Sequence, residues 1–250
     1  MMLDSTESED TILPTRAWPL FWTDLRWSVR AWASGLWFVM LVVALQAALV
    51  AVPPRLDLLD IPLLLGLVGF VGTERIFYLR AYRNSRLEAR EVVPFSWRFI
   101  GRFLVLGIVA VVPFVAIIAT IEVVVQPAPY KADAFPIWVR MSILTFGLIL
   151  DLLLTFVTPA LAFSTRSVNE ALHIGWRMLK DTWPTSAWYA FTPGLTLGVI
   201  ALVLPRSLIG LVGSIALAGV TGALGFAFKG AVVPFYVRHA PGIGKDGTVN

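Results

Sequence analysis

Six long apolar stretches separated by charged segments limit what this 250-residue chain can fold into. They cover residues 36–53, 61–79, 103–125, 138–163, 187–204 and 207–235. Each approaches the ~20 residues that a helix needs to cross a hydrocarbon core ~30 Å thick. A soluble domain of this size does not need apolar runs of such length, and 58% of this chain is apolar. The pattern predicts an all-α integral membrane bundle with six transmembrane helices.

Lysine and arginine alternate between the two sides of these predicted spans. Of the 20 basic residues, 14 lie in the N-terminal tail, the second and fourth connections and the C-terminal tail. The other three connections hold four. Because short cytoplasmic loops carry the excess of Lys and Arg in membrane proteins, both termini are expected to be cytoplasmic. The short outer connections predict that the spans pair as three hairpins.

The same pattern predicts a single membrane domain over residues 15–238, with a polar tail at each end. Residues 1–14 are acidic and residues 239–250 are rich in glycine. Both tails are therefore expected to be disordered. The acidic N-terminal tail is unlike the basic start of a cleaved signal peptide, so the first span is expected to be retained as a helix.

Residues 15–34 precede the first span and have a helical periodicity of their own. The apolar residues that recur at helical spacing are Trp18, Phe21, Trp22, Leu25, Val29 and Trp32. Thr23, Arg26 and Arg30 fall on the other side. Such a helix either lies in the membrane interface with its tryptophans at headgroup depth, or packs against the spans through the same aromatic residues. The sequence leaves both arrangements open.

A second amphipathic helix is expected between the fourth and fifth spans. Ser167 and Glu170 have the spacing of a capping box at its start. Its apolar stripe is predicted to consist of Val168, Leu172, Trp176 and Leu179. The opposite side carries Asn169, His173, Arg177 and Lys180. Both amphipathic helices fall on the side predicted to be cytoplasmic.

Four charged residues within the predicted spans form a candidate polar cluster: Asp151, Glu74, Arg75 and Lys229. Asp151 is about 15 Å along the fourth span, near the membrane midplane. A carboxylate at that depth costs several kcal/mol unless it is paired, protonated or hydrated, and it is a functional hypothesis by default. The four residues together are formally neutral. Neutrality favours a structural polar lock and leaves a proton or ion path open.

Small residues recur every four positions along the sixth predicted span. They are Gly210, Ser214, Ala218 and Gly222. A stripe of this kind lets helix backbones approach closely in membranes. It predicts helix packing, either within the bundle or between protomers.

The motifs of the common enzyme classes are absent from the sequence. His173 and His239 are the only histidines, cysteine is missing, and no H-E-x-x-H, G-x-S-x-G or P-loop pattern occurs. No catalytic, cofactor-binding or metal-binding residue is therefore predicted. The net charge of +4 would suit nucleic acid, but the cations cluster beside the spans. That placement favours anionic lipid headgroups at the cytoplasmic face as the partner.

Residues 157–183 resemble a group of bacterial six-span membrane proteins, which includes the membrane domain attached to some glycerophosphodiester phosphodiesterases. The resemblance rests on Val157-Thr-Pro159-Ala-Leu-Ala-Phe and on the segment from Ser167 to Trp183. In that group a span ends near a proline, and an amphipathic helix with an A-L-x-x-S-W-like pattern follows. Gly175 stands here where serine is usual. The resemblance implies a bacterial inner-membrane location and no activity, because the phosphodiesterase chemistry belongs to a separate soluble domain.

These features lead to two hypotheses of function. The first is a non-enzymatic scaffold or accessory subunit that organises lipids or a membrane complex, with a membrane protein or a second copy of the chain as partner. The alternative is a small-solute or proton-coupled permease that uses the polar cluster around Asp151. A lipid-modifying enzyme with Glu74 or Asp151 as base would require a cytoplasm-facing pocket that joins those carboxylates.

Overall fold

A computed structural model of the chain describes residues 17–51, 57–125, 137–203 and 206–240. These residues form helices and short turns without a strand, which confirms the predicted all-α class. The helices are α1 Ala17–Ala31, α2 Leu36–Ala51, α3 Asp57–Tyr82, α4 Ala89–Val125, α5 Ile137–Leu154, α6 Val157–Phe163, α7 Val168–Asp181, α8 Thr185–Val203 and α9 Arg206–His239. A 3₁₀ turn, Trp32–Ser34, joins α1 to α2. The tails predicted to be disordered lie outside the described residues, apart from residues 239 and 240.

Several helices have the length and composition needed to cross a membrane. Within the described residues these are Ala89–Ala110, Leu144–Phe163 and Gly210–His239. A fourth is added if Ala17–Ser34 and Leu36–Ala48, which meet at 104°, are counted as one broken span. The chain therefore has the helices of a membrane protein. Each of the six apolar stretches lies largely in helix, while six spans and their orientation remain predictions.

Helix α9 is the centre of the bundle. Helices α1, α2, α3, α6 and α8 all pack against it. A Cβ at Gly222 would lie 2.5 Å from Gln46 Oε1 of α2, and a Cβ at Gly230 would overlap Ser28 Oγ of α1 and the Tyr78 ring of α3. Glycine at these two positions therefore lets three neighbouring helices reach the α9 backbone.

The helix pairs that pack most extensively are not the predicted hairpins. Among the described residues, α3 packs mainly on α4, α2 on α9, and α5 on α8, whereas the consecutive pairs α2–α3 and α4–α5 meet over small areas. Gly69 and Gly72 bring α3 directly onto Ser96 and Phe99 of α4. Small residues at crossing points, rather than short outer connections, decide which helices become neighbours. The extent of packing among the described residues therefore does not follow the order of the three predicted hairpins, which stay a prediction.

The buried core lies at one end of the bundle. There α1, α6 and α7 join the second halves of α3 and α9, and the largest fully buried side chains include Phe38, Tyr78, Tyr189, Phe235 and Tyr236. Toward the other end the helices expose apolar side chains such as Ile108, Val112, Val199 and Val212. An exposed apolar surface of this extent suits contact with lipid or with another apolar surface rather than with water.

Helix α1 combines features of the two arrangements that the sequence left open. Its buried residues are Ala17, Phe21, Asp24 and Ser28. Trp18, Trp22 and Val29 are 40%, 41% and 46% exposed. Phe21 is the only residue of the predicted apolar stripe that is fully buried. The buried face of α1 includes the polar Asp24 and Ser28 instead, because both have hydrogen-bonding partners on other helices.

Helix α7 packs on α6 through a face one position away from the predicted stripe. Its buried residues are Ala171, Gly175, Met178 and Leu179, whereas Trp176 is 57% exposed. A Cβ at Gly175 would lie 2.6 Å from Val157 Cγ2 and 2.9 Å from Val157 N. Trp176 of the predicted stripe therefore takes no part in the packing of α7 on α6, and its place at the membrane interface stays a prediction.

The start of α7 has only one half of the predicted capping box. Ser167 is the N-cap, and its Oγ accepts from Glu170 N at 3.5 Å. The Glu170 carboxylate accepts from Thr165 Oγ1 instead of from the backbone of Ser167. Thr165 Oγ1 in turn accepts from Ser167 N at 3.1 Å. Thr165 therefore relays the reciprocal hydrogen bond.

The crossing at Gly230 predicts a large difference between two glycine-to-alanine substitutions. We expect Gly230→Ala to lower the free energy of unfolding by about 1–3 kcal/mol, because the added methyl overpacks the α1–α3–α9 contact. Gly101→Ala is the control, since no described atom lies within 4 Å of its Cβ position, and it should be neutral or stabilising by up to about 1 kcal/mol. Tryptophan fluorescence during thermal unfolding in detergent measures both. Equal stability of the two variants would contradict the crossing.

Candidate functional site

Three of the four charged residues predicted to cluster meet where α3, α6 and α9 pack together. Lys229 Nζ lies 2.7 Å from Glu74 Oε2. Arg75 donates to the carbonyl oxygen of Lys229 and, through Nη2, to Thr158 Oγ1 at 2.7 Å. Glu74 is 2% exposed and Arg75 is 4% exposed. We call Glu74, Arg75, Thr158 and Lys229 the α3–α9 charge cluster.

The break between α5 and α6 brings Thr158 into this cluster. Two residues, 155 and 156, interrupt the helix, and Thr155 donates to the carbonyl oxygen of Asp151 through both its amide nitrogen and its hydroxyl. The Thr158 hydroxyl is available to accept from Arg75. Among the described buried side-chain nitrogens and oxygens, Arg75 Nε is the one without a hydrogen-bond partner. The cluster is thus almost fully satisfied by contacts between helices.

Asp151 lies beside the α3–α9 charge cluster rather than within it. Its side chain is exposed, and its carboxylate makes no hydrogen bond or ion pair with a described residue. Oδ2 lies 2.8 Å from the position that a Cβ on Gly194 would take. Lys229 is the cation whose charge acts on it. Three predicted residues are therefore in contact, and the fourth faces α8 without a partner of its own.

A second charged contact, which the sequence did not predict, joins α1 to the end of α9. Arg238 Nη1 donates to Asp24 Oδ1 at 3.0 Å, and Arg238 Nη2 donates to Asp24 Oδ2. Tyr189 OH of α8 donates to the same Oδ2 at 2.6 Å. Asp24 is 3% exposed. Bidentate pairs of this kind are among the strongest charged contacts in proteins. We call Asp24, Tyr189 and Arg238 the α1–α9 clasp.

The clasp is invisible to sequence reasoning because its ion pair joins residues 214 positions apart. Helical periodicity assigned Asp24 to no cluster, and Arg238 counted only as a basic residue of the C-terminal tail. The one available signal is that Asp24 is the only acid in α1, which also carries Arg26 and Arg30.

Hydroxyl groups add further polar contacts to the α9 backbone. Ser28 Oγ donates to the carbonyl oxygen of Ala227 at 2.7 Å. Tyr78 OH donates to that of Phe226 at 2.9 Å and accepts from Trp32 Nε1 at 2.9 Å. Arg75 donates to the carbonyl oxygen of Lys229 in the same way. Three nearby carbonyl oxygens of α9 therefore accept hydrogen bonds from side chains of α1 or α3. These contacts fix the positions of both helices along α9.

The small-residue stripe of α9 is only partly a packing surface. Gly222 is buried against Gln46, Ser214 is buried, and Ala218 is half-buried. Gly210 is exposed and has φ 63° and ψ −175°, a conformation that side-chain-bearing residues rarely adopt. No described atom lies within 4 Å of its Cβ position. Gly210 therefore marks a kink and packs against no described residue of the chain, while its part in packing between protomers stays a prediction.

The described residues do not bring histidines and acids together as a metal site. They contain no group of three or more His, Cys, Asp or Glu side chains that could hold a metal ion. His173 is exposed, and the His239 ring lies against Phe235. The charged side chains of the α3–α9 charge cluster and the α1–α9 clasp form contacts between helices instead.

Comparison of the chain with protein-family models, with curated proteins and with solved structures found no match. The resemblance of residues 157–183 to the bacterial six-span group therefore remains a prediction.

The clasp predicts that Arg238 is far more important for stability than an exposed arginine. We expect Arg238→Gln to lower the free energy of unfolding by about 2–3 kcal/mol, because Asp24 stays buried without its cation. The partial exposure of Arg238 limits the size of this loss. Arg90→Gln is the control, since Arg90 and Glu88 form an exposed pair that contributes at most about 1 kcal/mol. Thermal unfolding of the purified protein measures both.

A double variant separates the charge effect from a loss of packing. Asp24→Asn combined with Arg238→Gln removes both charges and should be more stable than Arg238→Gln alone. A double variant that is less stable than the single one would mean that the buried charge on Asp24 is not the cause.

Proposed function

We propose that this chain is a non-enzymatic integral membrane scaffold or accessory subunit, which organises lipids or a membrane complex. In this proposal six spans cross the bacterial inner membrane, both termini are cytoplasmic, and α1 and α7 lie at the cytoplasmic interface. The bend of 104° between α1 and α2 supports the interfacial position of α1, because a helix perpendicular to a span lies in the membrane plane.

The observation that carries this proposal is the structural use of the buried charges. Glu74, Arg75 and Lys229 each contact another helix, and the first two are almost fully buried. A transport path needs charged groups that a passing ion or solute can reach. Because these charged contacts hold the helices in register, they favour a rigid membrane protein that presents surfaces to other molecules.

Those surfaces lie at the same end of the bundle as the buried core. Arg26 and Arg30 on α1 and Arg177 and Lys180 on α7 are exposed. Exposed tryptophans, Trp22 and Trp176 among them, lie on the same helices. Arginine and tryptophan together are typical of protein surfaces at headgroup depth.

The proposed orientation is testable because the chain contains no cysteine. We expect Ser8→Cys and Thr248→Cys to react with a membrane-impermeant maleimide only after the inner membrane is opened. Ala132→Cys, between the third and fourth spans, should react in intact spheroplasts. The cysteine-free parent is the control. Labelling of Ser8→Cys in intact spheroplasts would overturn the placement of the N terminus.

The permease is a second candidate function because of one observation, the exposed carboxylate of Asp151. Its carboxylate is exposed and has no hydrogen-bonding partner among the described residues. It lies against Gly194, directly after the proline inside α8. Helices interrupted by proline beside a charged residue can form substrate sites in transporters.

Reconstitution into liposomes distinguishes the two candidates. We expect the purified protein to give no proton, cation or small-solute flux above empty liposomes, and Asp151→Asn to behave in the same way. Flux that Asp151→Asn abolishes would replace the scaffold proposal with the permease. Asp181→Asn is the matched control, because Asp181 is exposed at the end of α7 and should leave any flux unchanged.

A further inference from the structure

The outward face of α1 carries a groove of about 410 Å³ lined by Trp22, Leu25, Arg26, Val29 and Arg30. We infer that this groove binds the phosphate of an anionic phospholipid through Arg26 and Arg30, while its apolar residues contact the glycerol and the start of the acyl chains. We call it the α1 groove. The inference rests on the proposed membrane function and names the class of lipid and the residues that would hold it.

The two arginines are placed to bind one phosphate. They are four residues apart on α1, which puts their Cβ atoms about 5–6 Å apart on one side of the helix. Both are exposed, and neither forms an ion pair with a described carboxylate. The only acid on α1, Asp24, is buried and held by Arg238 and Tyr189. Guanidinium groups bind phosphate oxygens in pairs of parallel hydrogen bonds.

The apolar residues favour a lipid over a free anion. Trp22 is 41% exposed and Val29 is 46% exposed, and Leu25 is half-buried between them. Trp18, 40% exposed, packs edge to face on Trp22 with ring centroids 5.3 Å apart. An inorganic phosphate has no apolar portion to match these side chains. A phospholipid has both a charged and an apolar part.

The backbone of α1 is anchored before any ligand binds. On the opposite face of α1, Phe21 packs on Tyr189 with ring centroids 5.2 Å apart, and Ser28 and Asp24 are hydrogen-bonded to α9. A preformed site loses little conformational entropy on binding. The bend to α2 also sets α1 across the direction of that helix. Arg26 and Arg30 are then at the depth of the headgroups if α2 crosses the membrane.

Native mass spectrometry of the purified protein in detergent tests the inference. Phosphatidylglycerol and phosphatidylcholine are added separately at equal mole ratios, and the lipid-bound fraction is measured. We expect the wild type to prefer phosphatidylglycerol, and Arg26→Gln with Arg30→Gln to weaken its binding about 25-fold, at about fivefold per basic residue. Each single variant should bind phosphatidylglycerol about fivefold more weakly than the wild type. Phosphatidylcholine binding should not change.

Arg86→Gln with Arg98→Gln is the matched control, because it removes two exposed cations that are not on α1. It should leave phosphatidylglycerol binding within about twofold of the wild type. An equal loss in both double variants would show charge attraction without a site and would overturn the inference. Complete displacement of the lipid by inorganic phosphate or by an acidic peptide at similar concentration would assign the groove to those ligands instead.

Stability and transport measurements keep this result separate from the scaffold proposal. The variant at Arg26 and Arg30 should unfold at the wild-type temperature, since both side chains are exposed. Absence of a lipid preference in the wild type would overturn the α1 groove and leave the scaffold proposal standing. Solute flux in liposomes would overturn the scaffold proposal without altering the lipid-bound fraction.

Discussion

The close approach of α1 and α3 to the backbone of α9 is the contact on which the rest of the structure depends. Between helices in lipid there is little hydrophobic driving force, so association relies on packing and on polar contacts. Gly230 supplies the packing because it has no side chain to separate Ser28 and Tyr78 from α9. The carbonyls of Phe226, Ala227 and Lys229 supply the polar contacts. The register of three helices is therefore set within about one turn of α9.

The two charged contacts join α3 and α1 to α9, and their main effect is on the specificity of helix pairing. Glu74 with Lys229 joins α3 to α9, and Asp24 with Arg238 joins α1 to α9. A buried ion pair loses hydration, which offsets much of its attraction, but an alternative register that left Asp24 or Glu74 unpaired would be strongly disfavoured. Asp151 is the exception, because its carboxylate has no such partner among the described residues.

The sequence predicts what depends on local composition and misses what depends on distant pairing. The apolar stretches lie in helices because their composition and length are local properties, and Glu74, Arg75 and Lys229 were brought together by depth alone. Depth cannot give orientation, so it did not exclude Asp151 from the cluster. The clasp joins residues 214 positions apart, and no periodicity reports such a pair. The buried face of α7 differs by one position from the predicted apolar stripe, because Gly175 contacts Val157. A hydrophobic pattern cannot show this contact.

Burial of Asp24 connects the fold to the surface that the chain presents. The carboxylate anchors α1 by pairing with Arg238, and Asp24 is the only acid in that helix. An acid three or four residues from Arg26 or Arg30 could pair with it on the helix surface, and α1 has no acid at such a position. With Asp24 turned inward, the outward face is left with two positive charges beside exposed tryptophan. The clasp thus fixes where α1 docks, and the same inward position of Asp24 leaves only positive charges on the outward face of the helix.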